Sequence, residues 1–159
     1  MGVLLAWEML SLMGCVMRDS QAQDAVRESP VAGGGGCVLV VDDSESFVAL
    51  LEAFLSSEAG CRVASCGEGR GALELARRLQ PAVILLDIVL PDLQGHEVCR
   101  QLAEHPETAG IPVILMSGMP PRSGWEAWGN VVRFFAKPFP LGALVEQVRG
   151  LLAGTERAA

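Results

Sequence analysis

Cys37-Val38-Leu39-Val40-Val41-Asp42-Asp43 is the stretch from which the rest of the chain can be read. Five apolar residues run without alternation, which predicts a strand covered on both faces, as in a parallel sheet. The run stops at two carboxylates. Phe47, Leu50, Leu51, Phe54 and Leu55 then follow helical spacing, with Gly60 placed to stop the helix. A short strand is predicted near 62–65. Leu73, Ala76 and Leu79 mark a second helix, ended before Pro81. Ala82-Val83-Ile84-Leu85-Leu86 is another buried run, and it stops at Asp87. Residues 95–104 read as a helix, 112–116 as a strand and 131–136 as a fifth strand. Leu141, Leu144, Val145, Val148 and Leu151 give a last amphipathic helix. This alternation implies an α/β fold, a doubly wound five-stranded parallel sheet with helices on both faces. Between Ser117 and Val131 stand Pro120, Pro121, Gly124 and Gly129, all poor helix residues, so a fourth helix is expected to be short or irregular. Trp125 and Trp128 would share one face of it. Core packing is their simpler use and a partner surface the alternative.

The composition narrows the class. A chain of 159 residues, half of them hydrophobic, suits one packed domain. A net charge of −7 without clustered Lys or Arg argues against a nucleic-acid footprint. Five cysteines in plain spacing fit reduced, packed thiols better than disulfides or a metal set, which points to the cytoplasm. Residues 1–36 read as a disordered leader and linker, ending in Gly33 to Gly36; 37–153 form the domain and 154–159 a tail. The apolar stretch 3–17 contains Glu8, follows no basic residue and is short for a membrane span. Leu12-Met13-Gly14-Cys15 faintly resembles a lipoprotein cleavage site, and Met9, Met13 and Met17 are alternative starts.

In an open parallel sheet, sites lie at the carboxyl ends of the strands. Of four aspartates from Cys37 onward, Asp42, Asp43 and Asp87 fall at predicted strand ends; Ser117 and Lys137 fall at two more. Three carboxylates at about 4 Å repel by roughly 4 kcal/mol per pair at an effective dielectric near 20. One Lys cannot relieve that, but a hard divalent ion with oxygen ligands can, and Mg²⁺ is the expected one. A carboxylate beside Mg²⁺, a hydroxyl and a Lys is a set for phosphoryl transfer onto the carboxylate. Lys137 is also the only lysine in the chain, against eleven arginines. A compact point cation fits such a site where a planar guanidinium does not.

Val38-Leu39-Val40-Val41-Asp42-Asp43, Leu85-Leu86-Asp87-Ile88-Val89-Leu90-Pro91-Asp92, Met116-Ser117-Gly118 and Lys137-Pro138-Phe139 together resemble the motifs of two-component response-regulator receiver domains. The similarity covers about residues 37–152 and implies a flavodoxin-like receiver fold. By the same resemblance, Asp87 is the phosphoacceptor. Asp42 and Asp43 hold Mg²⁺ with Asp87 and the backbone carbonyl of Val89. Ser117 is the switch hydroxyl, Lys137 pairs with phosphoryl oxygens, and Phe134 takes the switch-aromatic position. Val89 and Met119 would flank the phosphoryl group and tune its hydrolysis. The implied donor is a sensor histidine kinase or histidine phosphotransfer protein. With no room for an output domain in the sequence, output is expected to be contact with a downstream protein target or phosphoryl relay to another protein.

Three alternatives stand beside this. A degenerate receiver would serve as an unphosphorylated scaffold. An enzyme of the haloacid dehalogenase type would need a second Asp where Val89 stands, so the protein is expected to be no enzyme beyond its own phosphorylation and slow autodephosphorylation. A dinucleotide-binding domain lacks its Gly-x-Gly-x-x-Gly. Asp92 and Gly95 read as turn residues, and Glu45 as a favourable first-turn helix charge.

Overall fold

The structure, a computed structural model, describes residues 27–28, 35–119 and 123–158. Its strands are β1 (Arg27–Glu28), β2 (Cys37–Val41), β3 (Arg62–Cys66), β4 (Val83–Asp87), β5 (Val113–Ser117) and β6 (Val131–Ala136). The helices are α1 (Glu45–Phe54), α2 (Gly69–Leu79), α3 (Gly95–Glu104) and α4 (Leu141–Ala158). The sheet order is β1-β3-β2-β4-β5-β6. All neighbours are parallel except β1, which runs antiparallel to β3.

The unbroken apolar runs now have their reason. Side chains alternate across a strand, and both faces of β2, β4 and β5 are covered. Cys37, Leu39 and Val41 join Ile84, Leu86, Val113 and Leu115 in a core closed by Ala72, Leu75 and Ala76 of α2 and Val98, Cys99 and Leu102 of α3. Val38 and Val40 join Leu85, Ile114 and Met116 on the other face, beneath Val48 and Leu51 of α1 and Leu144, Val145 and Val148 of α4. The chain leaves β2 for β3 on one side, then crosses to β4 on the other. The carboxyl ends of β2 and β4 therefore flank the crevice where connections diverge, the usual position for a site in this architecture.

Gly60 stops the first helix as expected, with φ 61, after a five-residue π turn (Leu55–Ala59). The four described cysteines, Cys37, Cys61, Cys66 and Cys99, are buried and none is in a disulfide. Burial pushes Cys66 up to about 11 and Cys99 up to about 12, so both are inert packing residues at neutral pH.

Three expectations need correction. The segment 1–36 is not uniformly a leader without structure. Arg27 and Glu28 pair with Ser65 and Ala64, covering the open hydrogen-bonding edge of β3. Gly35 and Gly36 are packed, not a free linker: a Cβ on Gly35 would stand 2.6 Å from the Gly60 carbonyl oxygen, and one on Gly36 2.9 Å from Leu152. Gly35→Ala should therefore lower stability by about 1–3 kcal/mol in thermal denaturation, because backbone has to move to admit the methyl. The expected tail from 154 is instead the end of α4, which runs to Ala158. The last buried apolar residue is Leu152, so the periodic signal fades while the hydrogen-bonded backbone continues. The readings of 1–26 and 29–34, including Leu12 to Cys15, the alternative starts and Gly33, fall outside the described residues.

The irregular fourth connection appears as one 3-10 turn, Trp125–Ala127, among the described residues 123–130. Trp125 and Trp128 pack against the core beneath α2 and α3. Trp125 lies 5.9 Å from the ring of Phe134, and Trp128 lies 5.7 Å from His96.

Candidate functional site

The carboxyl end of β2 delivers Asp42, buried, and Asp43, exposed. The end of β4 delivers Asp87, which is 8% exposed. One carboxylate oxygen from each lies within 4.8 Å of the others. Lys137, just past β6, sends its ammonium between two of them, 2.5 Å from Asp42 Oδ2 and 2.9 Å from Asp87 Oδ2. The remaining oxygens are held by backbone. Ser44 N–H donates to Asp42 Oδ1 at 2.9 Å, and Val89 N–H to Asp87 Oδ1 at 3.0 Å. The second bond folds the β4–α3 loop back over its own carboxylate and places the residue 89 backbone at the site.

Electrostatics follow from these contacts. Burial pushes Asp42 above the usual carboxylate range, although Lys137 and the Ser44 N–H both pull it down. Burial alone would lower Lys137, but hydrogen bonds to Asp42 and Asp87 outweigh it and hold the ammonium above its ordinary value. One cation facing three carboxylates leaves a net negative cleft of hard oxygen donors. That donor set suits a divalent metal ion of the oxygen-seeking kind.

Ser117 ends β5 and is buried. Its Oγ accepts the Met119 N–H at 3.2 Å, and its carbonyl accepts the Lys137 N–H at 2.8 Å. The hydroxyl and the lysine thus sit on paired backbone at adjacent strand ends. Val89 and Met119 are exposed at 47% and 66%, on the loops that follow Asp87 and Ser117. Phe134 is not in the acidic cleft. It lies on β6 and packs with Trp125 against the core.

Three residues contribute more than the sequence suggested. Gly95 is no mere turn: a Cβ there would stand 2.7 Å from Ile88 Cα, so glycine lets α3 start against the Asp87 loop. Asp92 reaches α2, where its carboxylate accepts the Gly69 and Arg70 N–H groups at 2.7 and 2.9 Å. Its slight burial would raise it, but these backbone donors prevail and hold it below the usual range. Phe47 lies under the ammonium, its ring centroid 4.3 Å from Lys137 Nζ. Its helical spacing marked it only as an apolar-face residue. An aromatic in the first turn after an acidic pair, in a chain with one lysine, was the available signal.

The model for the response regulator receiver domain matches residues 38–149. This chain belongs to the response-regulator receiver family. Response regulator PleD of Caulobacter vibrioides is 39% identical over 118 residues, covering 72% of this chain and 25% of PleD. Protein PilH of Pseudomonas aeruginosa is 33% identical over 120 residues, covering 74% of this chain and 98% of PilH. The chain thus spans a quarter of PleD's length and nearly all of PilH's. The receiver domain of sensor histidine kinase PA1611 from Pseudomonas aeruginosa, solved with magnesium in its active-site cleft, superposes with TM-score 0.67 at 25% identity, over 76% of this chain and 99% of that one. The receiver domain described here is a module of phosphorylation-controlled signalling. With the acidic set and lysine all assembled, the degenerate-scaffold alternative is not favoured. Among the described residues, no helix is long and apolar enough to cross a membrane.

Proposed function

We propose that Asp87 of this receiver accepts a phosphoryl group from a phosphohistidine on a sensor kinase or histidine phosphotransfer protein in the cytoplasm, and that the modified domain changes its contact with a downstream protein. The observation that carries the reading is the Lys137 ammonium set between Asp42 and Asp87, with Asp43 completing the acidic cluster. A carboxylate oxygen of Asp87 attacks phosphorus, the phosphorus–nitrogen bond of the donor breaks, and the imidazole leaves with the electron pair. Asp42, Asp43, Asp87 and the Val89 carbonyl would hold Mg²⁺, which would supply positive charge against the carboxylates and phosphoryl oxygens. Lys137 needs only to exchange Asp87 Oδ2 for a phosphoryl oxygen. Ser117 Oγ, which accepts the Met119 N–H, would turn to the same group, and Phe134 would answer by repacking, having no hydroxyl of its own.

The test is intact-protein mass after incubation with acetyl phosphate and Mg²⁺. A phosphate-sized gain that a chelator prevents is expected; no gain, or a gain indifferent to the chelator, contradicts the proposal. Once formed, the acyl phosphate should persist for minutes or longer, since Val89 and Met119 present apolar side chains where water would approach. A lifetime of seconds after donor removal would count against those two residues as its guards.

A further inference from the structure

We infer that Phe47 is a positioning residue for Lys137, holding the ammonium at the acidic cluster through the face of its ring. This rests on the reading of Lys137 as the phosphoryl-pairing cation. Lysine carries three donor protons, and two of the ammonium's neighbours are Asp42 Oδ2 and Asp87 Oδ2. A third neighbour is the Phe47 ring, 4.3 Å from Nζ to centroid, well inside the range of a cation–π contact. The ring itself is fixed. Phe139 meets it edge-on at 6.1 Å, and Phe135 backs Phe139 at 5.1 Å. Phe139 belongs to the same turn as Lys137, so one short segment carries both the cation and the ring that braces its seat.

The chemistry favours an aromatic here. A carboxylate at position 47 would neutralise the cation, and a hydroxyl or amide would compete for its protons. A π face attracts the charge without accepting a conventional hydrogen bond, so the protons stay directed at the carboxylates. It also displaces water from one side of an ammonium that is 22% exposed along its side chain. The interaction reaches from α1 to the end of β6 and needs no metal.

Two measurements on the full chain test this. Lys137 is the only lysine, so protein labelled at the lysine ε-methylene gives one side-chain NMR signal. Without metal or donor, that signal should be shifted upfield by the ring and should return toward the free-lysine position in Phe47→Leu. Second, mono-, di- and trifluorophenylalanine at position 47 keep the ring's shape while weakening its attraction for cations. The phosphorylation rate with acetyl phosphate and Mg²⁺ should fall stepwise along that series, by about three- to tenfold in total, with Phe47→Trp active. Equal rates along the fluorinated series, or a lysine signal indifferent to Phe47→Leu, would overturn the assignment. If the wild type takes up no phosphoryl group, the phosphoacceptor reading itself fails, while the lysine signal still reports whether the ring holds the ammonium.

Discussion

Asp87→Asn takes up no phosphoryl group from acetyl phosphate under conditions that modify the wild type, yet it folds with nearly unchanged stability. The first half follows from chemistry: an amide is no nucleophile toward phosphorus at neutral pH, and on the proposed reading Asp42 and Asp43 hold the metal ion rather than attack phosphorus. The second half follows from charge. Neutralising Asp87 removes its 2.9 Å attraction to Lys137 and its repulsion from two carboxylates up to 4.8 Å away. At an effective dielectric near 20 the lost attraction is roughly 6 kcal/mol and each lost repulsion roughly 3–4, so the change closes to within about 1 kcal/mol. Equilibrium denaturation without divalent cation checks this. A variant that is inert because it is unfolded would contradict the account as surely as one that is still modified.

Lys137→Met is expected to fail on both counts. If Lys137 pairs with the transferring group as proposed, its removal should slow phosphorylation by about 10²–10³-fold, the cost of losing one preorganised charge partner. It also strands Asp42, whose side chain is 1% exposed, beside two like charges. Breaking a buried pair costs about 3–5 kcal/mol. Because this ammonium is partly in water, about 2–3 kcal/mol is expected in denaturation without divalent cation, with Mg²⁺ recovering part of it. Lys137→Arg should not rescue the rate, since a planar fork cannot sit as a point charge between two oxygens and a ring. Full activity in Lys137→Arg would show that only charge matters at this position.

The sheet was legible because its central strands, β2, β4 and β5, are buried on both faces. Runs such as Val38–Val41 and Ile84–Leu86 carry no alternation, and the aspartates stand where those runs stop. The site was legible for the same reason: parallel strands carry their ends to one edge, so Asp42, Asp43, Asp87, Ser117 and Lys137 had to meet. The unread parts have physical causes too. β1 is two residues long, too short for any periodic signal, and its strand character comes from the edge of β3. Gly35 looked like linker because composition cannot show that Gly60 lies against it. Asp92 and Phe47 act on α2 and Lys137 across tertiary contacts that no local pattern encodes. Phe134 sits where the family motif puts it, but the turn carrying Trp125 packs it against the core, away from the acidic cleft.

The central claim is that one carboxylate, that of Asp87, becomes the acyl phosphate. Borohydride reduction of the phosphorylated chain, followed by peptide mass spectrometry, reads this directly, because reduction converts a phosphorylated aspartate to homoserine. Homoserine at position 87 alone is the predicted result; homoserine at 42 or 43, or at no position in a chain that has gained phosphate, would contradict it.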